Sequence, residues 1–140
     1  MRRHRFGTER GAAAVEFALV VVPLLVIVFG TLTYGFMLSF RQSVSQAAAE
    51  GARAIAVAPS TANRTLIAYS AIEKVLSQPC NTGVLTCAVT TPASCATCLS
   101  VRVSWDYEND STKPKLVFGF MIPKTLAYTS TTEVNQAGQS

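Results

Sequence analysis

The residue whose chemistry is hardest to place is Glu16. It stands at the mouth of an uncharged run, Phe17 to Phe40, 24 residues long. A carboxylate without a partner is costly at bilayer depth and less so near the interface. Glu16 is therefore either an interfacial residue reaching headgroup water or a residue with a dedicated cationic partner. Gly11 lies five positions before it, directly after Arg10. Four cysteines form a second group: Cys80, Cys87, Cys95 and Cys98. An even number in a small exported domain reads as two disulfides, with three connectivities open. Four cysteines also satisfy the ligand count of zinc, but an oxidising compartment favours disulfides. Cys95-Ala96-Thr97-Cys98 is a C-x-x-C, yet the thioredoxin-like βαβ pattern of a redox site is not visible around it. The sole histidine, His4, precedes the apolar run, the acids are scattered, and there is no phosphate-binding glycine loop. The chain does not read as an enzyme, and no cofactor or metal is expected.

The elements that position these residues follow from composition and periodicity. Charged residues make up only 14% of the chain, against about 25% in an ordinary soluble domain. The uncharged run accounts for the deficit. As a helix it spans about 36 Å, enough for a bilayer core of about 30 Å. Arg2, Arg3, Arg5 and Arg10 precede it, which holds the N-terminus in the cytoplasm and sends the remainder outward. The net charge of +4 also comes from this end: four arginines against Glu9 in the first eleven residues leave +1 for the rest. No basic stripe remains for nucleic acid. The apolar run is long for a secretory signal core, and no clear small-residue cleavage site follows it.

Here the residues resemble a known family. Arg10-Gly11 followed by Ala12-Ala13-Ala14-Val15-Glu16-Phe17 looks like a type IV prepilin cleavage site: a short basic leader ending in glycine, then glutamate as fifth mature residue. Pro23-Leu24-Leu25 and Gln46-Ala47-Ala48-Ala49-Glu50-Gly51-Ala52-Arg53 narrow the resemblance to TadE-like proteins of tight-adherence (Flp) pilus systems. It covers residues 9–58 well and is looser beyond Pro59. The resemblance implies a leader, residues 1–11, removed by a prepilin peptidase between Gly11 and Ala12. It further implies a minor pilin or pseudopilin whose Glu16, beside Phe17, neutralises the new terminal amine of a neighbouring subunit during assembly. The implied partners are other pilins or pseudopilins, the assembly platform and membrane lipid. The implied location is the bacterial inner membrane, single-pass, with a periplasmic C-terminal domain and an extracellular pilus as a further destination. The rival reading is an uncleaved, signal-anchored periplasmic binding or adhesion module.

Downstream, Phe40, Val44, Ala47, Ala48, Gly51, Ile55 and Ala58 recur at spacings of three and four, so one helix is expected over 12–58, its transmembrane part over 17–40. Glu50 and Arg53 are spaced to pair and are candidates for subunit contact. Pro59 ends the helix. The head, 59–140, is expected to hold a helix over 61–78, capped by Ser60 or Thr61, with Leu66, Ile67, Ser70, Ala71 and Val75 as its apolar face and Lys74 interrupting. A cysteine-rich loop follows over 79–99. Leu99, Val101, Val103, Trp105 and Tyr107 alternate with polar residues, giving a strand over 99–107. Further strands are expected over 115–122 and 125–134. The fold class is α+β: a long pilin-like helix, a shorter helix and a small antiparallel sheet packed on that second helix, with a disulfide-stapled loop.

Overall fold

A computed structural model of the chain describes residues 9–59, 61–113 and 123–134. One helix, α1 (Glu9–Ala56), runs 48 residues, about 72 Å at the usual rise. Pro23 lies inside it without ending it. Along α1 the first buried side chains are Thr33 and Met37. Before them the helix is a bare apolar rod, with Phe17, Leu19 and Ile27 each more than 60% exposed. Beyond them Val44, Ala47, Ala48, Ala52 and Ile55 are enclosed. The three-and-four spacing therefore marks the stripe on which the head closes.

Pro59 follows the end of α1, and α2 (Arg64–Leu76) begins at Asn63. The Asn63 Oδ1 accepts the Leu66 N–H at 3.2 Å, satisfying one of the orphan donors at a helix start. The cap is thus neither Thr61 nor Ser60; Ser60 itself lies outside the described residues. The buried face of α2 is Ala68 and Ile72, joined by partly buried Tyr69 and Leu76. This corrects the expected face: Leu66 is 64% exposed. Ala68, Ile72 and Leu76 share the four-residue spacing without a lysine in the stripe, so Lys74 stays solvated. Ser77 ends α2 in the left-handed region, its N–H on the Glu73 carbonyl at 2.8 Å.

Three strands form an antiparallel sheet in the order β1 (Leu85–Thr90), β2 (Cys98–Asp106), β3 (Thr125–Glu133). β1 occupies part of the segment expected as a loop. It pairs Leu85 with Trp105, Cys87 with Val103 and Val89 with Val101. β3 sets Leu126 against Trp105 and Tyr128 against Val103. The strand expected over 115–122 lies outside the described residues. The sheet does not rest mainly on α2, as expected. β2 and β3 pack on α1, and α2 meets the sheet through β1. The reason is size: α2 offers one short stripe already spent on α1, whereas α1 presents a longer one of small and branched residues. Gly51 is where the layers converge. A Cβ there would stand 3.1 Å from both Ile72 Cγ1 and Val101 Cγ1.

The disulfides are Cys80–Cys87 and Cys95–Cys98, and no cysteine is left free. Closing the short loop from Cys80 to Cys87 restricts the unfolded chain by roughly 2–3 kcal/mol. The Glu73 Oε1 accepts the Cys80 N–H at 2.9 Å, and Asn81 Oδ1 accepts the Cys87 N–H at 3.0 Å. The stapled loop is thereby fixed to the end of α2 and to the start of the sheet.

Candidate functional site

Gly11, Ala12, Glu16 and Phe17 all lie on α1, before its first buried residue. Ala12 and Glu16 are four apart, one turn of helix, about 6 Å along the axis. Both are exposed. Among the described residues, nothing beyond the helix's own backbone would come within 4 Å of a Cβ at Gly11. The Gly11–Ala12 peptide is helical here, in the first turn. Amides of a first turn lack intrahelical acceptors, so this end opens at small cost.

The Glu50 and Arg53 side chains pair at 3.0 Å, Arg53 Nε donating to Glu50 Oε2. Both are solvent-facing, so the pair is worth only a few tenths of a kcal/mol. They line a groove beside α1 and α2 together with Ala54, Val57, Ile67 and Ala71. In the same tetrapeptide Gly51 and Ala52 are buried. Glu50-Gly51-Ala52-Arg53 thus has two faces, a packing face and a charged one.

The neck holds residues that no sequence motif marks. Phe40 of α1 stacks edge-on against Trp105, ring centroids 5.0 Å apart, and lies 5.9 Å from Tyr107. Lys113 Nζ sits 4.5 Å from the Phe40 ring centroid. Asp110, which the sequence places merely in a turn, is 4% exposed. It accepts the Trp105 Nε1–H at 3.0 Å and both the N–H and the hydroxyl of Thr112, at 2.8 and 2.6 Å. Burial pushes this carboxyl up, but the hydrogen bonds from Thr112 and Trp105 and the Lys113 charge outweigh it and hold it below the usual carboxylate value. Burial, then the Asp110 charge, pushes the Tyr107 phenol up. The only signal in the sequence is a turn aspartate five residues after the sole tryptophan.

A depressed folded value means stability that is fully present above the unfolded carboxylate value, about 3.9. It is lost as pH falls through the lower folded one. We expect the head to weaken below about pH 4 and the acid-side loss to shrink in Asp110→Ala. At neutral pH that variant should lose about 1–3 kcal/mol, because Trp105 Nε1 is left buried without an acceptor. Denaturation followed by Trp105 emission measures both. A variant as stable as the parent at neutral pH contradicts the assignment.

Residues 11–53 match the family model described as TadE-like protein. Searches of curated proteins and of solved structures found no match. The matched segment ends at Arg53 and includes both the exposed rod and the Glu50–Arg53 motif, while α2 and the sheet lie outside it.

Proposed function

We propose, with the TadE-like segment over residues 11–53 as premise, that this chain is a minor pilin or pseudopilin of a tight-adherence pilus. In this reading a prepilin peptidase cuts after Gly11, and α1 anchors the product in the inner membrane with its head on the periplasmic side. The role is structural rather than catalytic: other pilus components and the assembly platform are its partners, and Glu50 and Arg53 contribute a subunit contact. The observation that carries the reading is the continuous helix itself. It is long and apolar enough to cross a membrane, bears a single carboxylate after Arg10 within the bare rod, and ends inside a packed head.

The electrostatic logic is specific. Cutting after Gly11 creates an α-amino group on Ala12, about one turn from Glu16. Each charge is costly in an apolar filament core without a partner. Glu16 of an incoming subunit meets the amine of its neighbour, so each subunit supplies one charge of each sign to adjacent contacts. Glu16→Gln keeps the shape and removes the charge. It should leave folding and processing intact and lower co-assembly with the other pilus proteins by about tenfold or more, the effect of losing one charged hydrogen bond. Cross-linking in intact cells measures this. Assembly of Glu16→Gln at the parental level excludes the proposed role for Glu16. The rival, an uncleaved anchor, tolerates Glu16→Gln and retains Met1.

A further inference from the structure

We infer that the foot of the head carries a binding site for an anionic phospholipid headgroup, centred on Arg41; the inference rests on the membrane-anchor reading of α1. The site is a groove of about 380 Å³ between α1 and β3, lined by Leu38, Arg41, Gln42, Ser45, Gln46 and Tyr128. No carboxylate is among these residues. All but Leu38 carry hydrogen-bond donors.

Position along the helix selects the ligand. With Phe17 at one edge of the hydrocarbon, Leu38 lies about 32 Å further along the axis, at the other edge. Arg41 stands about one turn beyond Leu38, at headgroup level. Tyr34 and Leu38 are four apart on an exposed stripe, and Gln42 and Gln46 continue it at the same spacing. The stripe thus changes from apolar to amide-bearing at the depth where an acyl chain gives way to phosphate.

Arg41 is built to receive that phosphate. Its Nε donates to the Tyr128 hydroxyl, and its guanidinium lies 5.6 Å from the centroid of the Tyr128 ring. This holds the fork in one orientation. Its other N–H donors have no partner among the described residues, and a guanidinium fork suits a phosphodiester. Lys113 lies close by, over Phe40, but its charge faces buried Asp110. The uncompensated cation at the foot of the head, among the described residues, is Arg41.

The test uses the full chain in nanodiscs of equal parts phosphatidylglycerol and phosphatidylcholine. Complexes released into mild detergent are weighed by native mass spectrometry. The parent should retain phosphatidylglycerol in preference to phosphatidylcholine, and Arg41→Gln should reduce that retention by about tenfold. Arg102→Gln, which removes an exposed cation in the middle of β2 and outside the groove, should behave as the parent. Equal retention of the two lipids, or retention unaffected by Arg41→Gln, overturns the site. If the parent fails to enter nanodiscs, the anchor reading itself fails, and this inference with it.

Discussion

Gly11→Val should leave the head folded and stop removal of the leader. Folding and processing depend on residue 11 in different ways. Among the described residues nothing beyond the helix's own backbone lies within 4 Å of a Cβ at residue 11, and the position is exposed, so valine meets no described side chain. A peptidase, by contrast, must open this first turn and bring the Gly11 carbonyl against its catalytic groups. Misplacement by about 1 Å costs about a hundredfold in rate, and a branched side chain beside the scissile carbonyl produces at least that. Accumulation of full-length chain, with Trp105 emission and denaturation midpoint unchanged, is the expected result. Normal processing of Gly11→Val would place the cut elsewhere or exclude it.

The second large effect is on stability. Gly51→Leu should destabilise the head by about 3 kcal/mol or more. The first carbon alone meets Ile72 and Val101 at 3.1 Å, and overpacking a filled core costs about 1–3 kcal/mol or more. Leucine adds further carbons where α1, α2 and β2 meet. Gly51→Ala should be much milder. Its Cβ makes all three contacts, Ile72 Cγ1 and Val101 Cγ1 at 3.1 Å and Ile72 Cδ1 at 3.2 Å. These need shifts of only a few tenths of an ångström in two side chains, and alanine recovers about 1 kcal/mol of helix propensity over glycine. Chemical denaturation of the two variants separates these cases. Gly51→Leu within about 1 kcal/mol of the parent would contradict the convergence of layers at this glycine. Glu50-Gly51-Ala52-Arg53 therefore owes its middle residues to packing, whatever its outer pair contacts.

Much of this architecture is legible in the sequence, for physical reasons. The run from Phe17 to Phe40 needs only its length and lack of charge. The stripe from Val44 to Ile55 shows because a helix buried on one side repeats every three or four residues. β2 shows because the central strand alternates without interruption from Val101 to Tyr107. β1 is hidden, although Leu85, Cys87 and Val89 alternate as well. Cysteines, a glycine and threonines around it give the segment the composition of a loop. On α2 two stripes compete, and the one interrupted by Lys74 faces solvent. Asn63 is masked as a cap because Ser60 and Thr61 stand nearer Pro59. The role of Asp110 has no pattern to reveal it, since its burial depends on Trp105 folding over it. Pairing of Cys80 with Cys87 is likewise set by the fold: β1 brings Cys87 beside the end of α2, where Cys80 stands.

Removal of the leader by a prepilin peptidase is the claim on which the functional reading turns. Intact mass and N-terminal sequence of the protein from its native membranes, with and without the peptidase, test it most directly. The predicted result is a chain beginning at Ala12 when the peptidase is present and at Met1 when it is absent. A chain beginning at Met1 in both strains contradicts it and leaves an uncleaved anchor carrying a disulfide-stapled head.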